Sequence, residues 1–224
     1  MVGWMYYLGR GTVQDVQKGV KIIRDNKSFT FRLGEDNCLA VFSGANSDST
    51  ASQKFFEFCL LGSQQDWLCR HLMAVCLLYG FGTMQDRTKA ARIFEELAND
   101  GHSDSQFWIG MCYCCGGGVS QDRSKAAEWF GKSADLGNSY GQWWVGVSYL
   151  GGFGVTQDLP KAVEWLHKSA EQGNRYGQND LGYCYRRGCG VTENIGTALY
   201  WFRKSAEQGH DAAIDSLGDL NKRL

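Results

Sequence analysis

Cys112, Cys114 and Cys115 form the densest group of reactive side chains in the sequence. Thiolates ligate metals and act as redox nucleophiles. Cys112 and Cys115 stand one helical turn apart, close enough to share a face. A tetrahedral metal centre needs four converging ligands, and no second Cys or His pair at ligand spacing follows them. Cys76, Cys112 and Cys184 also share one position of a periodic pattern, where the intervening copy has Ser148. A position that takes Cys or Ser is a small, semi-buried slot, so these thiols read as core groups. His71, His102, His167 and His210 fall at unrelated offsets, with His102 and His210 at turns, where a capping or exposed role is expected. No Gly-x-Ser-x-Gly elbow, phosphate-cradling Gly-x-x-x-x-Gly-Lys loop or His-Glu-x-x-His helix occurs. Glu128 and Glu164 read as a solvated face rather than as acid–base catalysts. The residues therefore predict no catalytic set, no metal and no cofactor.

The elements that carry these residues repeat. Four gapless copies run over 73–108, 109–144, 145–180 and 181–216, and a truncated one opens at 217–224. A further copy occupies 1–28, and a degenerate one lies at 29–72, where Asp48, Phe55 and Phe56 keep register but the glycine turn shrinks to Gly44. Each copy reads as two helices: the first over about 104–115 or 176–187, the second over about 123–136. Paired glycines such as Gly152 and Gly154 separate them, because glycine enters the left-handed backbone region without a Cβ clash. Asp86, Asp122, Asp158 and Asn194 follow at a fixed offset, suited to capping the second helix. Pro160 falls inside a first turn, where its missing N–H costs nothing. Gly101, Gly137, Gly173 and Gly209 close the second helix. Glu128–Lys132 and Glu164–Lys168 are expected as i,i+4 ion pairs. Ala90, Ala126, Ala162 and Ala198, with Trp129, Trp165 and Trp201 beside Phe130, Leu166 and Phe202, are expected in the core. Gly110, Gly146 and Gly182 sit mid-helix, where a close crossing would offset about 1 kcal/mol of lost helix propensity. No copy buries both its faces alone, so the copies must stack. The Ser/Asn/Asp stretch from Ser43 to Ser52 reads as a longer turn.

Composition narrows the partner. A net charge of -1 and a pI near 6.4 supply no basic field, which disfavours nucleic acid and anionic membranes. Twenty-nine Gly against one Pro place the glycines at fixed positions rather than in low-complexity sequence. No secretory leader opens the chain and no apolar run approaches the roughly 18–20 residues of a membrane span. Nine Cys are an odd number, so a reducing, cytoplasmic compartment is expected. The sequence opens and closes within helices and carries no polar end copy, so part of a longer array is expected.

The pattern LGYCYRRGCGVTEN…ALYWFRKSAEQG resembles the Sel-one-like repeat, a relative of the tetratricopeptide repeat. The resemblance rests on Leu181, Gly182, Tyr185, Gly188, Gly190 and Val191, and on Lys161, Ala162, Trp165, Ala170 and Gly173. It is strong over residues 73–216, fair over 2–26 and poor over 27–72. It implies an all-α fold, a right-handed α/α superhelix, and a scaffold or adaptor without one fixed activity. A structural spacer beside another domain, such as a kinase, and a hydrolase of the cysteine-rich branch are the alternatives it leaves. That branch pairs cysteines at positions held here by Ala134 with Gln142 and by Ala170 with Gln178, so the resemblance to it stops there.

A partner site is expected on the first helices. One stripe, with Leu181 and Tyr185, packs on the second helix; the other holds Tyr176, Asn179, Tyr183 and Arg186. By resemblance to tetratricopeptide geometry, this second stripe lines the concave face. Through the copies it comprises Trp4, Tyr7 and Leu8; His71, Val75, Leu78 and Tyr79; Phe107, Met111 and Cys114; Tyr140, Trp143, Val147 and Leu150; and finally Tyr176, Asn179, Tyr183, Arg186 and Arg187. Tyr, Trp, Met and Arg are enriched at interface centres. The expected partner is a protein or peptide with apolar anchors and an acidic group near Arg186 and Arg187. The competing reading has the same aromatics packing between neighbouring first helices, out of a partner's reach.

Overall fold

A computed structural model describes residues 50–221. The copy at 1–28, and with it Trp4, Tyr7 and Leu8, lies outside the described residues. The chain divides into two compact units, residues 1–100 with 117–120, and residues 101–116 with 121–224.

The described part of the first unit holds α1 (Thr50–Gly62), α2 (Trp67–Tyr79) and α3 (Arg87–Asn99). The stretch read as a turn through Ser52 is already helical from Thr50, and Ser52 is buried. In α2 the run from His71 to Leu77 is buried without interruption. In α3 an apolar stripe of Ala90, Ala91, Ile93, Phe94, Leu97 and Ala98 turns inward, as 3.6-residue periodicity requires. Phe81 sits edge-on to Phe55 at 6.2 Å.

The second unit is an α/α solenoid of α4 (Ser103–Cys115), α5 (Arg123–Asp135), α6 (Ser139–Gly151), α7 (Leu159–Glu171), α8 (Arg175–Arg187), α9 (Ile195–Glu207) and α10 (Asp211–Asn221). Among the described residues no helix is long and apolar enough to cross a membrane. The two glycines of a turn do different jobs. Gly152, with φ 68°, ends α6 in the left-handed region and donates its N–H to the Ser148 carbonyl. A Cβ on Gly154 would lie 2.1 Å from the Arg123 carbonyl oxygen, so this glycine lets the turn close on the start of α5. Asp122, Asp158 and Asn194 accept from the amides of Lys125, Lys161 and Thr197 at 3.0, 3.0 and 2.9 Å, the capping their offset foretold. The mid-helix glycines are crowded as expected. A Cβ at Gly110, Gly146 or Gly182 would come within 2.7, 2.7 or 2.9 Å of Phe130, Leu166 or Phe202.

Successive hairpins are joined by bonds that the sequence reading missed. Ser133, Ser169 and Ser205 donate their hydroxyls to the carbonyls of Ser103, Ser139 and Arg175 at 2.8, 2.7 and 2.7 Å. Gln178 donates to the Ala170 carbonyl at 3.1 Å, and Gln142 reaches the Ala134 carbonyl at 3.5 Å. These are the pairs that the cysteine-rich pattern would cross-link, and here a buried amide holds each one. Asn138 and Asn174, also unforeseen, cap the first helices α6 and α8.

Two expectations of the surface are corrected. Trp129 and Trp165 are half-buried rather than core, while Trp201 is buried. Lys132 and Lys168 lie 3.9 and 4.0 Å from the centroids of the Trp129 and Trp165 rings, and no Glu128–Lys132 or Glu164–Lys168 ion pair forms among the described residues. An exposed ion pair is worth little. An indole face offers the ammonium an attraction of similar size and covers the lysine stem as well.

Candidate functional site

The aromatic stripe of the second unit joins first helix to first helix. Phe107 on α4 lies 5.8 Å from Tyr140 on α6, which lies 6.3 Å from Tyr176 on α8, against whose face His210 stands edge-on at 5.0 Å. Trp143 stacks on Tyr176 at 4.8 Å and 25°. Its indole N–H donates to Asp180 Oδ2 at 2.7 Å, while Asn179 donates to Asp180 Oδ1 at 3.0 Å. Burial pushes the Asp180 carboxyl above its usual range, and these two bonds partly offset that. Arg175 donates to Tyr176 Oη at 3.1 Å and to the Gln208 carbonyl at 3.3 Å.

Much of the expected binding stripe is therefore framework. In the first unit His71 and Val75 are buried, His71 tilted against Phe94 at 5.3 Å, and Tyr79 is half-buried. In the second unit Phe107 and Met111 are 1% and 5% exposed, which leaves a partner nothing to touch. Phe107 packs on Phe130, Trp108 and Tyr140 instead. Trp143 is half-buried and committed to Tyr176 and Asp180. For Phe107 and Trp143 the packing alternative describes the contacts; Met111 is simply buried. The physical reason is size: rings that span neighbouring helices gain more from each other than from water.

What stays at the surface clusters on α6 and α8. Tyr183 is 41% exposed, Arg187 is exposed, and Val147, Leu150, Asn179 and Arg186 are half-buried. Asn179, Tyr183, Arg186 and Arg187 follow i, i+4, i+7 and i+8 on one helix and so share a face. Both guanidinium groups lie near the Tyr183 ring, 5.9 and 6.0 Å from its centroid. The bond to Asp180 fixes the orientation of the Asn179 amide and leaves its Oδ1 without a donor. The arrangement offers an exposed phenol with two guanidinium groups near its ring.

The thiols sit elsewhere. Cys76, Cys112 and Cys184 are buried, and burial pushes Cys112 and Cys184 up to about 12. Cys115 is exposed, and a hydrogen bond from Cys114 holds it down to about 7.

Similarity to known proteins follows the repeats. The model of the Sel1 repeat matches residues 1–22, 68–102, 103–138, 139–174 and 175–210. A solved Sel1 repeat protein from Oxalobacter formigenes is 28% identical, with a TM-score of 0.65 over 98% of this chain and 64% of that one. A protective antigen of uropathogenic Escherichia coli with an SLR fold is 26% identical, with a TM-score of 0.63 over 98% of this chain and 39% of that one. The chain thus spans less than two thirds of either protein. Helicobacter pylori cysteine rich protein B, at 21% identity and a TM-score of 0.50, covers 59% of this chain and 98% of its own length, and shares the fold. No curated protein matches.

Proposed function

We propose that this chain, which belongs to the Sel1 repeat family, takes a short acidic segment of a partner protein on the face formed by α6 and α8. Members of the family are in general protein–protein interaction scaffolds. The observation that carries the finer reading is the exposed Tyr183 with Arg186 and Arg187 beside its ring. An exposed phenol and two neighbouring guanidinium groups suit a carboxylate next to an apolar side chain, because arginine binds carboxylates in a planar fork. Val147 adds half-buried apolar surface on α6.

The test is selection of displayed peptides on the full chain. The expected consensus pairs Asp or Glu with an aromatic or aliphatic residue. Its affinity falls about tenfold or more in Arg186→Glu/Arg187→Glu and declines with added salt. Tyr183→Ala weakens it with an unchanged helical circular dichroism spectrum. A consensus without acidic residues, or one indifferent to both variants, refutes the assignment.

A further inference from the structure

Helix α4 ends on two adjacent thiols. Cys115 is exposed, Cys114 is half-buried, and neither is in a disulfide. Cys114 lines a pocket of about 170 Å³ between α4, α5 and α6, together with Ala127, Phe130, Trp144 and Phe153. Both side chains are therefore open to a small reagent.

The repeat framework does not ask for a thiol at either place. The counterparts of Cys114 are Leu78, Leu150 and Arg186, and those of Cys115 are Tyr79, Gly151 and Arg187. This sets the pair apart from Cys76, Cys112 and Cys184, which fill one buried slot. One repeat further along, both places are covered. Leu150 packs against the core cluster of Val163, Leu166 and Cys184, so that joint is filled. A Cβ on Gly151 would collide with the Phe153 ring.

The two thiols are hydrogen-bonded side by side. Cys114 donates to Cys115 and holds it down to about 7, which supplies a thiolate near neutral pH. The pair does not close on itself without strain. Adjacent residues across a trans peptide have Cα atoms about 3.8 Å apart, and no cis peptide occurs among the described residues. Disulfide-bonded cysteines need about 4.4–6.8 Å. An atom that bridges the two sulfurs lifts this limit, because they then need not bond each other. Soft thiolates select soft centres.

We propose that Cys114 and Cys115 form a chelating site for a trivalent organoarsenical, a soft centre that takes two thiolates. The step exchanges ligands without redox change. In phenylarsonous acid two As–O bonds break and two As–S bonds form. Each thiol proton leaves with a hydroxide as water, and arsenic stays trivalent. The second sulfur joins at the high effective concentration that adjacency gives. The site is separate from the α6–α8 face and does not depend on it.

Titration of the reduced full chain with phenylarsonous acid tests the assignment. Excess 2-mercaptoethanol is present to strip arsenic held by one thiol. The readouts are intact mass and, after removal of the monothiol, a map of alkylated cysteines. Cys114 and Cys115 should be protected together by the tightest-bound arsenical. Cys114→Ser and Cys115→Ser should each weaken binding about tenfold or more, as the chelate becomes a single bond. Cys112→Ser, which copies the side chain at position 148, should leave binding unchanged. Cys114→Leu/Cys115→Gly, which copies positions 150 and 151, should abolish it with an unchanged helical circular dichroism spectrum. Should that double variant fail to fold, the two serine variants decide. Binding indifferent to either serine variant, binding lost in Cys112→Ser, or protection of only one of the two thiols would each overturn the proposal.

Discussion

Trp143 and Trp144 are adjacent on α6, yet they serve two differently finished joints. Trp143 faces forward: it stacks on Tyr176 and gives its N–H to Asp180. Trp144 stacks on Phe130 and gives its N–H to nothing. The buried carboxylates at the two joints differ in the same sense. Asp180 accepts from two donors, Trp143 and Asn179, whereas Asp104 accepts from one side chain, Asn138, at 2.8 Å. The forward joint gives its indole N–H an acceptor, and the backward one leaves an indole N–H without one beside a pocket. Repetition of the same helical hairpin does not therefore make every joint alike. The residues that differ between copies decide whether a joint is glue or a socket.

The contrast can be broken most forcefully at Leu166, fully buried in the filled joint. Leu166→Ala should cost about 2–5 kcal/mol in urea unfolding, and a cost under 1 kcal/mol would show that the joint is not packed as described. Asp104 comes next. Burial pushes its carboxyl from 3.8 up to about 6, against the opposing bond from Asn138. The folded state holds this proton more tightly than the unfolded chain does. Its contribution is therefore complete below pH about 4 and is lost as pH rises to about 6, in all about 3 kcal/mol. Asp104→Asn keeps the acceptor and removes the titration. Denaturant midpoints should match wild type at pH 4 and exceed it at pH 7.5; a wild-type-like pH slope in the variant would assign the effect to another group. Trp143→Phe strips one donor from a buried carboxylate and should cost about 1–3 kcal/mol. Trp144→Phe removes a buried donor that has no acceptor, so it relieves a desolvation cost of about 1–3 kcal/mol and should not destabilise the fold as Trp143→Phe does. Thermal unfolding of the two variants side by side sharpens the comparison, and equal losses would erase it.

The framework was legible in the sequence because it is repeated. A glycine pair, an Asp at fixed offset and an alanine opposite an aromatic each state one backbone requirement, and repetition separates them from chance. The mid-helix crowding at Gly110, Gly146 and Gly182 followed from glycine's cost in a helix. The binding stripe was legible only in part. Helical spacing places Phe107, Met111 and Tyr183 on one stripe, but it carries no information on how far the next first helix reaches over them. Phe107 is covered by Tyr140, while Tyr183 has no ring stacked on it from a later helix among the described residues. Spacing alone pairs Lys132 with Glu128, although Trp129 stands on the same side and its ring takes the ammonium. The pocket gave a faint signal, Cys114 and Ala127 where the next copy has Leu150 and Val163, that only the packing makes readable.

The serine bonds between hairpins have a consequence for growth. Each closes a loop of the same length, thirty residues, whichever hairpins it joins. Loop-closure entropy depends on that length, so adding a hairpin to the second unit levies the same ordering charge as the last one did. Duplication of one segment can lengthen such an array without redesigning any seam, and the duplicated copy is then free to become a new socket.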